Sequence, residues 1–139
     1  MKKLLIIFSL IMVGCATSAV NPKLAKITPE NRIFLSETYN ENTGKVTVIR
    51  DSGVTNGKML ITMYIDGKRA AEMDTSEKVT FNVNSGEHII GVTFEGMFFS
   101  SPDEIMQERE FTISEGDHKY YRIFTDQFGN LDIKPTMLR

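Results

Sequence analysis

The sequence predicts an all-β domain, an antiparallel β-sandwich of eight or nine strands. Three observations carry this. Short apolar runs alternate with polar residues, glycine-bearing turn signals recur between them at sandwich-like spacing, and no sustained helical period appears after Asn31. An open barrel is the alternative closure for the same strands.

The elements follow in chain order. Arg32–Thr38 and Lys45–Asp51 flank the turn-rich stretch Tyr39-Asn40-Glu41-Asn42-Thr43-Gly44. Ser52-Gly53-Val54-Thr55-Asn56-Gly57 then leads into Met59–Ile65. Asp66-Gly67 is the strongest hairpin signal in the chain, because a type I′ turn needs positive φ and glycine tolerates it. A short strand at Arg69–Met73 follows. Val79, Phe81 and Val83 alternate with Thr80, Asn82 and Asn84, the mark of a half-buried strand. Ser85-Gly86 turns the chain into His88–Glu95, where His88, Ile90, Val92 and Phe94 share a face. Glu108–Ile113, a turn at Ser114-Glu115-Gly116-Asp117, Lys119–Asp126, a turn at Gln127-Phe128-Gly129-Asn130 and Leu131–Lys134 complete the series. Pro102 to Gln107 is the one place where a short helical turn is expected.

The N-terminus has a different character. Met1-Lys2-Lys3 is basic, Leu4 to Val13 is apolar, and Gly14 precedes Cys15. Ten residues of helix span about 15 Å, half a hydrocarbon core, so this is a signal peptide and not a membrane span. Met12-Val13-Gly14-Cys15 resembles the lipobox of bacterial lipoproteins, matching at Val13, Gly14 and Cys15 and departing at Met12, where that family prefers leucine. The resemblance implies cleavage after residue 14 and a covalent lipid on Cys15. With Ala16 next, it further implies a cell-envelope location at the outer membrane, facing the periplasm. The competing expectation is an ordinary secretory signal cut at Thr17-Ser18-Ala19, releasing a soluble chain from Val20. Residues 15–30, with Pro22 and Pro29 among small polar residues, read as the lipidated terminus and a flexible tether. Such a tether reaches about 20 Å. The β domain is then 31–139.

Composition narrows the function classes. The chain has 139 residues and a formal charge of −2, and loss of Lys2 and Lys3 makes it more acidic, which argues against nucleic acid as a partner. A single cysteine rules out an intrachain disulfide, and lipid attachment accounts for it.

Met63-Tyr64-Ile65-Asp66-Gly67-Lys68-Arg69 is similar to a PEGA-type β-sandwich repeat, with a strand, an aspartate-glycine hairpin and a basic return. Val83-Asn84-Ser85-Gly86-Glu87-His88 resembles the second signature of that group. Glu115-Gly116-Asp117-His118-Lys119-Tyr120-Tyr121-Arg122 extends the likeness to an uncharacterised family of short bacterial envelope lipoproteins. The resemblance spans about Lys45 to Thr125. It implies an immunoglobulin-like or PEGA-like fold and a surface or scaffold role, and it carries no catalytic residues.

Candidate chemistry is thin. His88 and His118 lack metal-ligand spacing, and no metal site is expected from them. Asp51, Asp66, Asp74, Asp103, Asp117 and Asp126 sit at turns without EF-hand spacing, where aspartate commonly bonds backbone amides. No serine lies in a nucleophile elbow. Glu87, Glu95, Glu104 and Glu108 are more simply solvated than paired for acid–base work. Gly96-Met97-Phe98-Phe99-Ser100-Ser101-Pro102 stands out, since three large apolar residues fall where a strand ends. They either fold back to close an end of the sandwich or form an exposed lip for a partner. Met97, Phe98, Phe99 and Tyr120 are therefore the candidate binding residues. The expectation is a lipid-anchored, non-enzymatic scaffold or protein-binding module without a cofactor. A glycan- or peptidoglycan-binding module is the alternative, weakened by the absence of tryptophan.

Overall fold

A computed structural model describes residues 16–36, 41–53, 59–94 and 106–138. Among these residues the chain is almost wholly β. Its strands are β1 (Lys26–Ile27), β2 (Thr43–Arg50), β3 (Ile61–Ile65), β4 (Lys68–Met73), β5 (Glu77–Asn84), β6 (Gly86–Phe94), β7 (Gln107–Ile113), β8 (His118–Thr125) and β9 (Leu131–Pro135). Two sheets form, ordered β1-β5-β2-β8-β9 and β4-β3-β6-β7. Their facing sides share one hydrophobic core, so the architecture is a sandwich.

Period-two alternation builds that core. Val46 and Val48, then Val79, Phe81 and Val83, then Tyr121 and Ile123, then Leu131 and Ile133 line the inner side of the five-stranded sheet. Ile61, Met63 and Ile65, with Ile90, Val92, Phe111 and Ile113, face them from the other. Asp66 and Gly67 hold φ of 50° and 73°, and Ile65 pairs with Lys68, so the expected two-residue hairpin joins β3 to β4. Ser85-Gly86, in contrast, does not close a hairpin. β5 and β6 belong to different sheets, and the chain crosses the sandwich there. Most pairings are antiparallel, but β2 pairs parallel with β8 and β1 parallel with β5.

Two expectations are revised. Of the strand expected at Arg32–Thr38, the described residues 32–36 form none. Glu30–Arg32 forms a 3-10 turn, and Ile33 makes one isolated bridge with Ala71. Arg32 is drawn between the sheets, donating to the Glu72 carbonyl of β4 and ion-pairing Glu77 of β5, which bends the chain off any strand path.

The segment expected as a free tether is, from Thr17 on, laid along the domain. Thr17 N donates to the Thr125 carbonyl at 3.0 Å, Ser18 and Ser52 exchange backbone bonds, and Lys26 and Thr28 N donate to Ser76 and Lys78. Pro22, Ala25 and Thr28 are buried at three-residue spacing. Beneath this strap the outer side of the sheet is dry: Ile49, pointing away from the core, is only 1% exposed. The strap escaped a sequence reading because its contacts are mostly backbone bonds, which carry no side-chain period.

Candidate functional site

The two sheets splay at one end. There the β3–β4 hairpin turn, the β5–β6 crossing and the start of β8 meet, leaving an open cleft of about 910 Å³. Halfway along the adjacent edge, Arg109 of β7 and Asp132 of β9 bond at 2.6 Å and hold the strand edges together. Beyond that pair, Glu110 and Thr112 of β7 line one side of the cleft, and Pro135 and Thr136 line the other.

His88 and Asp66 form its most organised feature. His88 Nδ1 lies 2.7 Å from Asp66 Oδ2, and His88 Nε2 lies 2.7 Å from the Asn84 carbonyl. A carboxylate and a carbonyl can only accept, so making both bonds at once requires both ring nitrogens to donate, which favours the imidazolium form. Burial opposes that charge, but the Asp66 bond, the Asn84 bond and the Asp66 charge together raise the His88 pKa above its ordinary value. Asp66 is held below the ordinary carboxylate range: burial would raise it, yet the His88 bond, the Ile89 amide and the charges of His88 and Lys68 prevail. The pair ties the hairpin turn to the crossing and divides the cleft from a smaller cavity of about 130 Å³.

This clasp has a pH signature. The raised His88 pKa adds stability that is complete below the unfolded value, about 6.5, and is lost as pH rises through the folded one. The lowered Asp66 pKa adds stability that is complete above the unfolded value, about 3.9, and is lost as pH falls through the folded one. Thermal melts should therefore show the clasp at full strength between those two values. Asp66→Asn should flatten the midpoint's dependence around neutral pH; an unchanged profile in that variant would remove His88–Asp66 as its source.

Aromatic rings floor the cleft. Phe111 lies 5.3 Å from the His88 ring and 5.7 Å from Tyr121. Tyr121 is 5% exposed, and burial raises its phenol pKa. On the other side of β8, His118 and Tyr120 stack at 4.3 Å, and His118 Nε2 bonds Thr47 Oγ1 at 2.8 Å, which in turn bonds Thr80.

Of the residues expected from sequence, Tyr120 lines this cleft, together with His88 and His118. Cys15, Met97, Phe98 and Phe99 lie outside the described residues. Phe111 and Glu110 were not singled out in the sequence. Phe111 and Tyr121 occupy core positions of their strands, and only the divergence of the sheets brings them to an open surface. Among the described residues no group of three His, Cys, Asp or Glu side chains could hold a metal ion, and no helix is long and apolar enough to cross a membrane. No protein-family model matches the chain, and comparison with curated proteins returns no match.

Proposed function

We propose that this chain is an envelope lipoprotein, acylated at Cys15 and held at the outer membrane facing the periplasm, whose PEGA-like sandwich is a non-enzymatic binding module. A segment of a partner protein occupies the cleft between the diverging sheets. The observation that supports the binding reading is Tyr121. It is a nearly buried aromatic side chain that, with Phe111, lines an open cleft large enough for several residues of a peptide. The lipobox-like Val13-Gly14-Cys15 after an apolar run supports the anchor. Two or three acyl chains hold a protein on a bilayer where one does not.

Two measurements test this reading. Cys15→Ala should abolish acylation and move the protein from membrane to soluble fractions; a variant still in the outer-membrane fraction after salt washing contradicts the anchor. A photocrosslinking residue at Glu110, introduced in living cells, should capture a discrete envelope protein. Tyr121→Phe, which removes only the hydroxyl, should weaken that complex about tenfold, the worth of one well-placed hydrogen bond. Equal affinity in the Phe variant would count against this cleft as the site.

A glycan ligand is the second reading, favoured by the His118–Tyr120 stack and the acidic and hydroxyl groups beside it. Sedimentation with peptidoglycan, lost on Tyr120→Ala, would select it over the protein partner.

A further inference from the structure

The strap sets where a lipid on Cys15 would lie relative to the domain. Thr17 N donates to the Thr125 carbonyl at 3.0 Å, Thr125 N donates to Thr17 Oγ1 at 2.9 Å, and Ser18 and Ser52 exchange two more backbone bonds. Thr17 Oγ1 also reaches Asp51, a buried carboxylate that pairs with Arg122. The chain is thus fastened to the ends of β2 and β8 by residue 17. Only Ala16 separates that point from Cys15, and two residues of chain extend about 7 Å.

The turn joining β8 to β9 begins at the residue after Thr125. At its tip Phe128 is 80% exposed. The turn is internally tied: Asp126 Oδ1 accepts from Phe128 N at 2.8 Å and Asn130 N at 2.9 Å, Asp126 Oδ2 accepts from Asn130 Nδ2, and Asp126 N donates to the Asn130 carbonyl. A well-braced turn therefore holds a large bare aromatic ring at the end of the sandwich where the strap is fastened. The cleft lies at the opposite end, beside the start of β8.

We propose that this turn is a second membrane contact. Phe128 enters the interfacial layer of the leaflet that holds the acyl chains of Cys15, so that the domain stands on the bilayer in one orientation with its cleft facing away. The proposal rests on the lipoprotein reading above. Its occupant is the lipid surface itself, because the short span from Thr17 to Cys15 leaves the turn no room to swing clear. The contact is apolar and not electrostatic, since Asp126 within the turn is acidic and Asp132 just after it is paired with Arg109. Aromatic side chains favour this depth of a bilayer.

The test uses the full-length, acylated protein in phosphatidylcholine vesicles. Phe128→Cys carries an environment-sensitive fluorophore, and the thiol of Cys15 is consumed by the lipid. Glu87→Cys, an exposed position at the cleft end, is labelled in parallel. The Phe128 probe should shift blue, brighten severalfold and be quenched by nitroxide-bearing lipid, while the Glu87 probe behaves as in water. Acylated, vesicle-bound protein with a water-like Phe128 probe overturns the membrane contact and leaves the anchor standing. A blue shift that depends on protein concentration and resists the lipid quencher marks contact with a second copy and also overturns it. An unmodified terminus by mass spectrometry overturns the lipoprotein reading, and this proposal with it.

Discussion

Phe81→Ala is expected to destabilise the domain by about 4 kcal/mol, the usual cost of emptying a buried phenylalanine site. Phe81 is 2% exposed near the middle of β5 and projects between the sheets. Its strand is paired with β2 along most of its length, Val46 opposite Phe81, so that neighbour cannot move in without breaking ladder bonds. The cavity then keeps much of its volume, and the loss includes missing contacts as well as missing burial. A single domain of this size has about 5–15 kcal/mol in hand, so the variant loses a large share of its stability. Urea denaturation checks this, with the midpoint falling at constant slope. Ile89, on the outer side of β6 and 43% exposed, is the control: Ile89→Ala should change stability by less than about 1 kcal/mol.

Arg50→Met should cost about 3 kcal/mol for a different reason. Arg50 ends β2 in one sheet and reaches into the other, donating at 2.7 Å to the carbonyl of Met59, just before β3, and at 2.7 Å to that of Met73, the last residue of β4. It is 4% exposed. Burial lowers the pKa of its guanidinium, and the charges of Asp74 and Glu77 oppose that shift without cancelling it. Methionine would fill much of the volume but take the Arg50 donor from both carbonyls and remove a positive charge from beside Asp74 and Glu77, of which Glu77 keeps Arg32, a costly way to break such a site. Arg50→Lys should restore only part of the loss: one guanidinium nitrogen, Nη1, reaches both carbonyls, and a lysine ammonium lacks the rigid planar frame that aims it. If Met and Lys variants unfold with the wild-type midpoint, Arg50 does not join the sheets energetically.

Most of the fold was legible. Val79, Phe81 and Val83, or Ile90 and Val92, announce a buried side because a strand's period is two and each sheet here has one dry face. Asp66-Gly67 announces its turn because few residues adopt positive φ. The strand expected at Arg32–Thr38 failed where long-range bonds from Arg32 overrode a local apolar run. Ser85-Gly86 was legible as a turn, but a turn signal says that the chain bends and does not say which sheet it enters next. Of the cleft, Tyr120 was legible as an available aromatic. So was Tyr121, but Phe111 was not, since in sequence it is indistinguishable from core.

By itself, then, the sequence determined the strands, their buried faces, the β3–β4 hairpin and the lipobox-like start, because each depends on residues close together in the chain. Tertiary structure alone decided that β2 runs parallel to β8, that Arg50 crosses from one sheet to the other, that the segment after Thr17 is bound to the sheet, and that the sheets part beside Tyr121. These depend on backbone bonds and distances between residues far apart in the chain, and side-chain periodicity holds no record of either.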